Sequence, residues 1–256
     1  MSAWTVVLDR ELRDLWLAGR GLLLMLAISV LLGVTSYLVA SNQALNFLEQ
    51  REAVSLTLQV AVALGGLLVL LGSADSISGE RERGTLESLL VTPVSRRSIV
   101  VAKAAAALSM WVASFTLTVG YVWYFGRGVG VVLSALSAGL LVGTLLALFL
   151  AGLGVLVSSL VESNRLSLSI TLFALLALYT PTQMPMSAQQ GWFGDLLLHV
   201  DPFTAGVQAL GNVVVNGQSL GQQAGWLVGP VVAAAFICSA AVGVADRLTL
   251  GTGDHP

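Results

Sequence analysis

Long apolar stretches alternate with short clusters of charge along this chain. No Asp, Glu, Lys or Arg occurs in 21–48, 53–74, 104–126, 128–161, 166–194 or 202–245. A membrane-spanning helix needs about 20 mostly apolar residues, and each stretch holds one. The expected spans lie near 21–40, 54–74, 100–125, 132–157, 166–181 and 226–245. The segment before the first span has a different pattern. Trp4, Val7, Leu8, Leu12 and Leu15 share one face at helical spacing, with Asp9, Arg10, Arg13 and Asp14 opposite. That pattern predicts a helix lying in the membrane interface over 3–20. The expected fold is all-α and polytopic: one domain over 1–256, an amphipathic amino-terminal helix and six transmembrane helices.

Two further patterns concern packing. Ala135, Gly139, Gly143, Ala147 and Ala151 place a small residue at every fourth position of the fourth span, a ladder that lets another helix approach closely. Between spans five and six, 182–225 lacks Lys and Arg and is rich in Gln, Asn and Gly. Within it, 196–200 and 203–215 are expected to form short re-entrant helices. Non-helical backbone at membrane depth is tolerated only where protein or a water-filled cavity satisfies it.

Composition agrees with the bilayer reading. Of 256 residues, 56% are hydrophobic and only 10% charged, against about 25% charged in soluble domains. With six spans and both ends on one side, that side collects Arg10, Arg13, Arg20, Arg81, Arg83, Arg96, Arg97, Lys103, Arg165 and Arg247; the other keeps Arg51 and Arg127. Basic residues mark the cytoplasmic face, so both termini are expected there, in the cell (inner) membrane. The acidic residues preceding the first apolar stretch argue against a cleaved signal peptide. The net charge of −2 gives no reason to expect a nucleic-acid partner. The single Cys238 has no second cysteine with which to pair.

Candidate chemistry is sparse. No span carries charge near its centre, where ion-coupled carriers usually bind the coupling ion. A phosphate-cradling loop needs GxxxxGK[ST], and the only lysine, Lys103, sits in VVAKAAA. Met184 and Met186 form an M-x-M pair suited to Cu(I), but methionine is also an ordinary apolar filler. His199 and His255 are the only histidines. No metal site, cofactor or catalytic group is assigned, and the chain is not read as an enzyme.

The remaining feature is the charged loop GERERGTLESLLVTPVSRRSIVVAK at 79–103. Leu86, Leu89 and Leu90 recur at i, i+3 and i+4 and predict a short helix with one apolar face. Thr92-Pro93 ends it, and Ser95 is placed to cap the next helix. Such a helix suits either another protein's groove or the membrane surface; the residues alone leave both open.

This loop resembles that of ABC-2-type permeases, with its acidic-rich start, G-T-[LI]-E-x-L-L, T-P-[VL]-S-R and a following Lys. Gly84, Thr85, Leu86, Glu87, Leu89, Leu90, Thr92, Pro93, Ser95, Arg96 and Lys103 carry the likeness, which extends to the layout of the whole chain. Permeases of nitrous-oxide-reductase maturation transporters look similar, and drug, lipid and peptide exporters share the loop. The resemblance implies a coupling loop over 79–98 that seats on a cytoplasmic ABC ATPase subunit. Gly84, Thr85, Leu86, Glu87, Leu89 and Leu90 would dock, with Arg81, Arg83, Arg96 and Arg97 at the edge. It also implies two ATPase copies, a second permease copy (a homodimer), contact with membrane lipids and room for an extracytoplasmic partner. The expected function is the permease subunit of an exporter driven by a separate ATPase. The alternatives are a mechanotransmitting anchor for an ATPase and an ion-coupled secondary carrier.

Overall fold

The computed structural model describes residues 3–17, 19–40, 47–92, 94–183 and 199–247. Every regular element among them is helical: α1 (Ala3–Trp16), α2 (Arg20–Ala40), α3 (Phe47–Asp75), α4 (Ser78–Glu82), α5 (Leu86–Leu90), α6 (Arg96–Gly126), α7 (Val132–Leu160), α8 (Asn164–Tyr179), α9 (Pro202–Val214) and α10 (Ala224–Val244), with three short 3-10 segments. Six stretches are long and apolar enough to cross a membrane: Gly21–Leu38, Leu48–Glu82, Arg96–Gly126, Val132–Leu160, Asn164–Thr182 and Leu220–Val244. Each overlays one of the charge-free stretches, so the chain is an all-α polytopic membrane protein.

The spans are not equivalent. Over an apolar 18-residue stretch of each, 61%, 50% and 56% of the residues are buried in the second, third and fourth, against 22%, 11% and 17% in the first, fifth and sixth. The small-residue ladder explains this central trio. Ala135, Gly139, Gly143, Ala147 and Ala151 are all buried. A methyl on Gly139 would lie 2.5 Å from Leu58 of α3, and one on Gly143 would enter the Trp111 ring of α6. Association within lipid depends on such close packing rather than on a hydrophobic drive. Trp111 also donates its ring N–H to Thr144 Oγ1 at 3.1 Å. The outer spans turn Leu23, Leu26, Phe173, Leu176, Val228 and Phe236 outward, as helices facing lipid or another apolar surface do.

Helix α9 realises the helix expected at 203–215, and it is sunk in protein. Phe203, Ala209, Leu210, Val213 and Val214 are buried, and Gly206 abuts Val142 and Leu146 of α7. Asp201 caps its amino end, accepting from the Thr204 N–H at 2.7 Å and from the Thr204 hydroxyl at 2.5 Å. Its carboxyl end is tied by Arg51, which donates to the Val215 carbonyl at 3.3 Å. Buried Gln223 accepts from Asn212 at 2.9 Å and donates to Gln218 at 2.7 Å. The amides of this region therefore satisfy one another. The expected helix at 196–200 falls mostly outside the described residues, as do Met184, Met186 and His255.

Candidate docking site and its anchoring

The loop after α3 folds into two single-turn helices, and each is pinned by a different part of the chain. At the start of α4, Ser158 at the end of α7 accepts from the Ile77 and Ser78 N–H groups at 3.1 and 2.9 Å. These are orphan donors of a helix amino end. Arg81 donates to the Val161 carbonyl at 2.5 Å. Glu82 accepts from the Asn164 N–H at 2.7 Å and from the Ser163 hydroxyl at 3.1 Å, a carboxylate at the amino end of α8, where the helix dipole favours it. Asn164 in turn donates to Asp75 Oδ1 at 2.7 Å. The loop and the α7–α8 link are one clasped unit.

Gly84 makes the turn between α4 and α5 at φ +68°, a left-handed conformation that glycine adopts without steric cost. Helix α5 then presents two faces. Leu86, 4% exposed, packs with Ile77, Val100, Val155 and Ala245. Leu89, 3% exposed, packs with Val7, Ile99 and Ala102. The outward face carries Gly84, Glu87, Ser88, Val91 and Thr92, all exposed, with Val91 at 79%. The apolar surface of Leu86 and Leu89 is thus covered by the chain's own α1, α6, α7 and carboxyl-terminal segment. Thr85 is half-buried and its hydroxyl donates back to the Glu80 carbonyl at 3.3 Å. The side chain of Leu90 and all of Pro93 lie outside the described residues.

The four arginines expected at the edge are drawn into contacts within the chain. Besides Arg81, Arg83 lies 3.8 Å from Asp75, Arg97 pairs with Asp246 at 2.6 Å, and Arg96 donates to the Asp246 carbonyl at 3.1 Å. The Arg97 hydrogen bond holds the Asp246 carboxyl below its ordinary value. Ser95 caps α6 by accepting from the Ser98 N–H at 3.2 Å, as its position predicts. The start of α6 is thus linked to the end of α10.

The central element of this end was not legible as such in the sequence. Lys103 is buried in α6, about 10 Å in from the first residue at 1.5 Å per residue. Its Nζ lies 2.8 Å from Glu11 of α1 and 3.0 Å from Glu80 of α4. The lysine side chain is 0% exposed. A buried ammonium is tolerated only with paired, hydrogen-bonding partners, and here they come from two other helices, α1 and α4. Helix α1 runs beside the first turns of α6: Val7 against Ile99 and Ala102, Glu11 on Lys103, and Trp16 donating its ring N–H to Ser109 at 3.1 Å. Its apolar face is therefore covered partly by α6. The available signal was the spacing of Val7, Glu11 and Leu15, which puts one carboxylate on the inward stripe of α1.

Set against known protein families, the chain matches a family model by sequence. The model of the ABC-2 family transporter proteins matches residues 6–244, nearly the whole chain. The chain belongs to the ABC-2 transporter family. It is thus a transmembrane permease component of an ABC transporter, and the family implies an ATPase partner. No curated protein matches the chain.

Proposed function

We propose that this ABC-2 permease is the membrane half of an exporter and that it receives the motion of a separate cytoplasmic ATPase through α5. The observation that carries this reading is the two-faced loop. Leu86 and Leu89 root α5 in the spans, while Glu87, Ser88 and Val91 project from it. A short helix rooted on one face and bare on the other suits insertion into a groove of a partner. Leu86 and Leu89 then set the helix's position, and Glu87 and Val91 make the contact, with Gly84 and Arg83 beside them. The ten-to-two bias of basic residues supports cytoplasmic termini and an inner-membrane location.

Force on α5 has a short path inward. Glu80, in the same loop, grips Lys103 of α6, and Lys103 grips Glu11 of α1. Arg96 and Arg97 extend the link to α10. Displacement of the loop therefore moves α6 and α1 together, as rigid-body alternating access requires. The apolar faces of the first, fifth and sixth spans suit a second copy of the chain, giving two permeases on two ATPases.

The test is co-purification with the cognate ATPase in mild detergent. Glu87→Arg with Val91→Asp is expected to abolish association while membrane insertion and thermal unfolding stay unchanged, because neither side chain is buried. Undiminished association of that double variant sinks the docking assignment.

A further inference from the structure

Between the first and third spans, at the end away from the α5 loop, lies a cleft of about 500 Å³. Gly33 and Tyr37 of α2 wall one side, and Gly120, Tyr121, Tyr124 and Phe125 of α6 wall the other. The two glycines keep it open. A methyl on Gly120 would meet no atom within 4 Å, and one on Gly33 would touch only the Tyr121 hydroxyl, at 3.6 Å. Tyr121 closes the inner end by donating to the Ser29 carbonyl at 3.1 Å. The volume falls within the roughly 300–1,000 Å³ of small-molecule sites, and the lining is mainly aromatic.

The rim of this cleft carries a cation. Arg127 follows α6 directly, and its guanidinium lies 5.3 Å from the ring centroids of both Trp123 and Tyr124. Tyr124 thus serves the cleft and seats the arginine, a cation–π contact that positions the charge without neutralising it. Arg10, Arg13, Arg83 and Arg97 each have a carboxylate within 4 Å. Arg127 is exposed and has no carboxylate partner among the described residues. Along the helix axis it stands about 10 Å from Gly120, at 1.5 Å per residue. Trp and Tyr collect at the level of lipid headgroups, so the cleft runs from that level toward the acyl chains.

We infer that the cleft holds one acyl chain of an anionic phospholipid from the surrounding bilayer, with its phosphate on Arg127. Charge complementarity selects the head, because a guanidinium offers a phosphate two parallel N–H donors. A choline head would bring a second cation against the guanidinium, so the site discriminates against phosphatidylcholine. The gap left by Gly33 and Gly120 admits the chain, and the rings of Tyr121 and Phe125 cover it. The site is independent of the ATPase reading and is tested without nucleotide.

The probe is phosphatidylglycerol with a diazirine in one acyl chain, added to the full chain in phosphatidylcholine nanodiscs. Phosphatidylcholine with the same diazirine chain is the control. After illumination, peptide mass spectrometry compares labelling at 33–37 and 120–125 with labelling at Leu26 and Phe173, which face outward. About fivefold enrichment in the cleft is expected with phosphatidylglycerol, and none with phosphatidylcholine. Arg127→Gln is expected to erase that enrichment while the fold persists, because the side chain is exposed. Gly120→Leu fills the cleft without displacing an atom near the added carbon and is expected to erase it too. Equal labelling by the two lipids overturns the site, and so does enrichment that survives either variant. Enrichment that survives Gly120→Leu while dimers fall apart assigns the cleft to a second copy of the chain instead.

Discussion

The two ends of this permease are held together by different physics. At the loop end, ionic side chains reach across the chain: Lys103 to Glu11 and Glu80, Arg97 to Asp246, Glu82 to the amino end of α8. At the α9 end, the described contacts are mostly local in sequence, the Asp201 cap on Thr204 and the Asn212–Gln223–Gln218 amides, with Arg51 reaching the Val215 carbonyl from farther along the chain. Buried ionic contacts such as those of Lys103 with Glu11 and Glu80 force distant segments to move as one, because a buried charge cannot leave its partner cheaply. Caps and amides define a local shape. The difference is what the proposed transmission of motion through the loop end requires.

Breaking the charged end should cost the most. Lys103→Met leaves Glu11 and Glu80 facing each other without their cation, a loss of about 3–5 kcal/mol for a buried pair stripped of one partner. Thermal unfolding in detergent reads this directly. Adding Glu80→Gln and Glu11→Gln to the same variant should recover a substantial part, because the stranded charges are removed with it.

The packed middle that both ends share comes next. Gly143→Leu drives a side chain into the Trp111 ring and should cost about 1–3 kcal/mol. Gly243→Leu on α10, where no atom lies within 4 Å of the added carbon, should unfold at the parent temperature. Equal effects would remove the distinction between the central and outer spans.

At the α9 end, Asp201→Ala should cost about 0.5–2 kcal/mol through the lost helix cap. Burial raises the Asp201 carboxyl above its ordinary value, and its hydrogen bonds from Thr204 oppose the shift only in part. The folded state thus holds this proton more tightly than the unfolded chain. Asp201 therefore contributes most at low pH, and its contribution falls as pH rises from about 3.9 through the raised value. Asp201→Asn keeps the cap, loses that pH slope, and should match or exceed the parent at neutral pH.

The smallest effect belongs to Asp246→Asn. The Arg97 hydrogen bond lowers the Asp246 carboxyl, so the pair supports the fold above about pH 3.9 and is lost as pH falls through the lowered value. Both partners are exposed and the pair is screened, so unfolding at neutral pH should not change measurably.

These contrasts also mark what a single sequence discloses. The six spans, the Ser95 cap, the ladder from Ala135 to Ala151 and the helix at 202–214 were legible because each depends on a local or periodic pattern. The orientation of α5 was not. Three leucines at i, i+3 and i+4 define an apolar face but not what covers it; Ile99 and Val100 cover it from the next helix, and Val7 and Val155 from far along the chain. The Lys103 cluster was hidden for the same reason: its partners lie 92 and 23 positions away, and no spacing rule links them. A lone lysine eight residues into a capped helix looked like a boundary charge.

The central claim is that α5 meets the ATPase with Glu87 and Val91 while Leu86 and Leu89 face the permease itself. Cysteine cross-linking in native membranes tests it most directly, using single cysteines at 86, 87, 89 and 91 in a Cys238→Ser background with the cognate ATPase present. The account predicts cross-links to the ATPase from Glu87→Cys and Val91→Cys and none from Leu86→Cys or Leu89→Cys. Cross-links from 86 and 89 with silence at 87 and 91 would contradict it.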